Sequence, residues 1–198
     1  MGCASLKEAQ APEKTMRLDE AQVRLYAAHD EVLLQYESLE LRYLELELSG
    51  RIEGAHKEGL SKMRMLYLEM QSHFGAVLEF HNRTLQNQQE VLFDDLDALD
   101  SARDDFVHYR GVQVLRAHHQ RLMALHRHLI ALSQQEGLQE LVEDHLELFE
   151  IHRSLMRLCG EKMRLLEEDF GVDAAHEELL EPFELLPEED LPDGPQLI

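Results

Sequence analysis

LDEAQVRLYAAHDEVLLQYESLELRYLELELS, residues 18–49, decides the fold. Leu18, Leu25, Val32, Leu39 and Leu46 recur every seven residues, and Tyr36 and Tyr43 stand four places beyond members of that column. Leu34, Leu41 and Leu48 make a second column. A seven-residue repeat keeps apolar side chains on one side of an α-helix. Two columns read as an apolar face wider than a two-stranded seam, and so as one wall of a bundle core. The helix is expected from Glu13 to Ser49. Residues 1–12 are expected to be flexible, with a boundary at Ala11-Pro12 because proline disfavours helix in the residue before it.

Downstream, SGRIEGAHKEG (49–59) carries three glycines and breaks the chain. Met63, Met70 and Val77, beside Tyr67 and Phe74, mark a second helix. HNRTLQNQQE (81–90) holds one large apolar residue, Leu85. Ser101 with Asp104 forms a rough capping box, so a third helix is expected near residue 101 unless the second runs through. Its column is Leu115, Leu122 and Leu129, with Leu125 and Leu132 beside it. Gly137 is the next break. The last helix, Leu138 to Phe170, carries Leu141, Leu148, Leu155 and a parallel column from Val142 to Phe170, with Gly171 at the usual stop position. No period-two alternation competes. The chain reads as all-α: long amphipathic helices over residues 13–170 in an antiparallel bundle or coiled-coil assembly. An acidic, Pro- and Leu-containing tail, residues 171–198, is expected to be largely disordered.

Charge narrows the partners. The formal net charge is −21 over 198 residues. The 12 acids from Glu167 onward have no Lys or Arg among them, which leaves 28 acids against 19 bases, or −9, in residues 1–166. Such a chain repels nucleic-acid phosphates and anionic head groups. One segment reverses the trend: residues 106–135 contain no acid but hold Arg110, Arg116, Arg121 and Arg127 with five histidines. It reads as a basic helix beside acidic ones, or as an exposed basic interaction stripe. With only Cys3 and Cys159, no disulfide framework is expected, and the natural home is the reducing cytoplasm.

Catalytic signatures are lacking. There is no G-x-S-x-G, P-loop or G-x-G-x-x-G, and Cys159 falls on an apolar helical face. No cofactor and no small-molecule substrate are expected, and the protein reads as a non-enzyme. His145, His152 and Cys159 share one heptad column; residues seven apart are about 10.5 Å apart along a helix, so no two of them bind one ion unaided. His118, His119 or His126 would have to complete any metal site from a facing helix. Protonation of histidines near pH 6 is expected to stabilise so acidic a bundle.

Both ends carry short motifs. In EPFELL, Glu181 with Leu185 and Leu186 resembles an acidic dileucine sorting signal, whereas Phe183 with Leu186 resembles the autophagy-receptor motif, which adds a strand to a ubiquitin-like fold. Gly2-Cys3 suggests N-terminal lipidation, although position 6 of the myristoylation pattern is Leu rather than Ser or Thr. AVLEFHNRTLQ (76–86) resembles the last helix of BAR domains over about eleven residues, which implies a membrane-associated helical module. The reading that uses most of these features is a helical scaffold or adaptor that binds other proteins, as a homo-oligomer or through a coiled-coil partner. The alternatives are a membrane-associated trafficking module anchored at Gly2 and Cys3, and a His-rich metal- or pH-responsive bundle.

Overall fold

A computed structural model of the protein describes the backbone of residues 4–88 and 95–172 and the side chains of residues 13–88 and 100–172. Helix α1 spans Ala4–Leu48, α2 Ala55–Asn87, α3 Asp95–Gln135 and α4 Gln139–Phe170. Among the described residues there is no strand. The chain is an all-α antiparallel bundle. Gly50, Gly54, Gly137 and Gly171 all take positive φ at the chain reversals and at the end of α4. At that end Val172 N–H reaches the Leu166 carbonyl, closing the helix with a left-handed glycine.

α4 packs against both α1 and α3, and α3 packs against α2, while of the four neighbouring pairs α1 and α2 approach each other least closely. Side-chain size explains the asymmetry. Between α1 and α2, Tyr36 stacks on Tyr67 and His29 on Phe74, each pair with ring centroids 3.8 Å apart. Between α2 and α3 small residues let the helices close: a Cβ on Gly59 would lie 2.5 Å from Leu129 Cδ2. Arg17–Asp169, Arg24–Glu161, Arg42–Asp144 and Arg51–Glu140 ion pairs run along the α1–α4 edge. Such exposed pairs set alignment more than stability.

The heptad columns headed by Leu18, Met63, Leu115 and Leu141 are buried as expected. Three expectations change. First, the Leu34, Leu41, Leu48 column is exposed at 63%, 63% and 79%. The reason is angular: Leu34 lies two residues, or about 200°, from Val32, so the two columns occupy opposite faces of α1 rather than one wide face. Second, α1 begins at Ala4 and passes through Ala11-Pro12. The helix formers Leu6 to Gln10 outweigh the restriction that Pro12 places on the residue before it. Third, α3 begins at Asp95, so Ser101 is a buried residue within the helix and not its cap. The acidic tail, residues 173–198, lies outside the described residues.

The two faces of α1 separate in a mutational test. Leu39→Ala is expected to lower unfolding free energy by about 2–5 kcal/mol, and Leu41→Ala to change it by less than about 0.5 kcal/mol. Urea denaturation measures both.

Candidate functional site

Each helix turns polar as well as apolar side chains inward. Gln22, His29, Tyr36 and Tyr43 follow one another at seven-residue spacing on α1; His119, His126 and Ser133 do so on α3, and His145, His152 and Cys159 on α4. All are buried, and among the described residues nine histidines are.

At the centre these side chains join into one hydrogen-bonded chain across all four helices. Tyr43 Oη meets His145 Nε2 at 2.9 Å, and His145 Nδ1 meets His126 Nδ1 at 3.0 Å. His126 Nε2 lies 3.4 Å from Tyr67 Oη, which is 2.8 Å from His152 Nε2. His152 Nδ1 then meets His119 Nδ1 at 3.2 Å. A neutral imidazole has one donor and one acceptor nitrogen. Within each ring the direction of one bond sets the other, so Tyr43–His145–His126–Tyr67 share one sense and Tyr67–His152–His119 share one sense, and the Tyr67 hydroxyl joins the two runs by donating to at most one ring.

Burial keeps these groups neutral. Desolvation first, and neighbouring imidazoles second, push His119 and His145 down to about 3 and hold His126 and His152 well below the ordinary value. Desolvation raises the Tyr43 and Tyr67 hydroxyls above theirs. His29, beside the chain and stacked on Phe74, is lowered to about 4.

A second polar layer lies nearer the α4 C-terminus. Lys162 is fully buried and donates to Gln22 Oε1. Desolvation lowers its ammonium to about 7. Around it, His81 Nε2 lies 3.2 Å from Asp19 Oδ1, and His108 Nδ1 lies 3.2 Å from Thr84 Oγ1. Desolvation, then the Lys162 charge, lowers both imidazoles. Cys159, one turn from Lys162, is a buried thiol pushed up to about 12 by desolvation. It is therefore not an activated nucleophile.

His119 and His126 do face the His145–His152 column from α3, whereas His118 turns toward His73 and Glu69 on α2. Among the described residues no three His, Cys, Asp or Glu side chains are placed to hold a metal ion. Sequence spacing alone pointed to the His145–His152–Cys159 column. It missed Lys162, although that residue continues Leu141, Leu148 and Leu155 at the same seven-residue step.

Of the motif residues, Gly2, Cys3, Glu181, Phe183, Leu185 and Leu186 lie outside the described residues. The four arginines of the basic segment lie on α3 as two rows rather than one stripe. Arg110 and Arg121 are half-buried; Arg116 and Arg127 are exposed, about 120° away around the helix. Arg127 stands over the Phe149 ring and Arg110 donates to Gln113. None of the four has an acidic partner among the described residues. Among the described residues no helix is long and apolar enough to cross a membrane. No protein-family model, curated protein or solved structure matches this chain.

The neutral histidines reverse the expected response to acid. In the unfolded chain an imidazole gains its proton near pH 6.5, but in the bundle only far below it. Below pH 6.5 the unfolded state binds more protons, so stability falls with pH. One unit below 6.5, five deeply buried histidines (108, 119, 126, 145 and 152) together remove about 7 kcal/mol, comparable with a whole domain's stability. Circular dichroism should show cooperative unfolding between about pH 6 and 4.5, with His119→Leu moving the midpoint to lower pH.

Lys162 has the same sign in a higher window. Its folded value is depressed, so its contribution improves as pH rises from about 7 through 10.5. At pH 7 its burial costs on the order of 4–5 kcal/mol. Combined Gln22→Leu and Lys162→Met should therefore raise the thermal midpoint at pH 7, with a much smaller gain at pH 10.5.

Proposed function

We propose that this chain is a non-enzymatic helical scaffold or adaptor of the cytoplasm that binds other proteins through the outer face of α1. The observation that carries this reading is the apolar row Leu34, Leu41, Leu44 and Leu48, which is 51–79% exposed and faces away from a core that is already closed. Its three- and four-residue steps are those of a coiled-coil seam. Val23 and Met16 extend it toward the N-terminus, at 61% and 56% exposure. A row of exposed leucines on one helix marks an interaction surface. Asp30 and Glu37 interrupt the row at the seven-residue positions between Val23 and Leu44, and Glu45 stands beside it, so charge favours a basic amphipathic helix over a second copy of this acidic chain.

A second reading, an acid-responsive bundle, is favoured by the buried neutral histidine chain. Acidification would charge groups that the core has no means to solvate, and the bundle would release whatever α1 holds.

Leu41→Glu with Leu48→Glu tests the scaffold reading. Both residues are exposed, so the melting temperature should not move, while capture of partners from a cell extract should drop at least about tenfold. An unchanged set of captured partners would remove α1 as the docking face. Sedimentation equilibrium of the unmodified chain separates a second copy from a different partner.

A further inference from the structure

We propose that residues 173–198 fold back along the outer face of α3 and are held there by Arg110, Arg116, Arg121 and Arg127. This inference does not depend on docking at the outer face of α1.

Charge pairing on the bundle points to this face. Arg17, Arg24, Arg42, Arg51, Arg64 and Arg83, on α1, on α2 and in the turn between them, all have carboxylate partners. Arg110, Arg116, Arg121 and Arg127 have none among the described residues, and the same holds for Arg103 near the start of α3 and for Arg157 on α4, so α3 carries most of the unpaired guanidinium groups. Residues 106–135 contain no acid that would pair with them. The surplus of the opposite sign is residues 173–198, with nine Asp and Glu and no Lys or Arg.

The chain also leaves the bundle in the right place. Val172 is buried with Phe106 of α3 and Leu165 and Leu166 of α4, and Tyr109 Oη donates to Glu167 at 2.7 Å. The segment therefore starts beside the N-terminal half of α3. From Tyr109 to Arg127 is about 27 Å along the helix. Nine extended residues, 173–181, span at most about 30 Å. Glu181, Phe183, Leu185 and Leu186 thus come within reach of the far arginines.

The receiving surface suits a mainly electrostatic contact. Ala117, Ala124 and Ala131 are exposed at seven-residue spacing between the two arginine rows. Among the described residues no large apolar side chain of α3 is exposed. An acidic segment lying on the alanines has guanidinium groups on both sides. Docked there, the EPFELL motif is covered and becomes available only when a competitor displaces it.

Paramagnetic NMR on the full chain tests this. With Cys3→Ser and Leu186→Cys, a nitroxide can be placed on the tail, because Cys159 is buried. At about 20 mM salt, amide signals of residues 110–127 should lose at least half their intensity and recover at about 0.5 M, where exposed ion pairs are screened. Arg116→Glu with Arg127→Glu, two exposed positions, should leave the melting temperature unchanged and weaken tail contact about tenfold. Attenuation spread evenly over the bundle, or centred on α1, or insensitive to the charge reversal, would overturn the proposal. So would attenuation that appears in a mixture of labelled and isotope-enriched unlabelled chains, which would place the tail on a second copy.

Discussion

A buried imidazole is tolerated most cheaply when it is neutral and its nitrogens are bonded, and the centre of the core is arranged around that constraint, while His29 and His108 outside the central chain each keep one unbonded ring nitrogen. The six-membered chain from Tyr43 to His119 meets it by giving each ring nitrogen between its ends a partner on another helix. Breaking one member strands its neighbours, at a cost of about 1–3 kcal/mol for each buried group left unpaired. Apolar columns have no such demand. Leu on α3 packs nearly as well against Leu on α4 after a slide of one heptad, but His126 would no longer meet His145 and Tyr67. The polar chain therefore gives the four helices a single alignment, much as one buried polar residue does in simpler coiled coils.

That specificity is obtained at the expense of stability. Lys162 sits where Leu would continue the heptad of α4, and nothing in its surroundings offers a full countercharge: it bonds an amide oxygen, while Asp19 is turned toward His81. The upper and lower polar layers share one physical property. Both exclude the protonated form of a base, so both tie folding to proton concentration, the histidines in the mildly acidic range and Lys162 between neutral and alkaline pH. A bundle of aliphatic columns with the same surface would lack this dependence.

The exterior divides the work between diagonal helices. α1 and α3 lie diagonally across the bundle, each flanked by α2 and α4, and their outer faces point in opposite directions. The face of α1 is leucine between carboxylates; that of α3 is alanine between guanidinium groups. One favours an apolar helix with basic flanks, the other an acidic extended segment. On the two proposals made above, the α1 face is left for another protein while the α3 face is kept by the chain's own acidic tail.

Much of the fold was legible in residues 18–49 and in the glycines at 50, 54, 137 and 171. Periodicity and chain breaks are local properties, and local physics sets them. The column His145, His152, Cys159 was legible for the same reason. The exposure of Leu34, Leu41 and Leu48 was implicit in the two-residue offset from Val32, because an angle on a helix follows from sequence number alone. What tertiary structure alone decided is which histidines meet. His119 and His126 reach α4 while His118, one residue from His119, turns to α2, and Tyr67 bridges two rings from a third helix. Spacing assigns a side chain to a face of its own helix. The partner across the core depends on the relative axial position of separate helices, and that position emerges only when all four pack together.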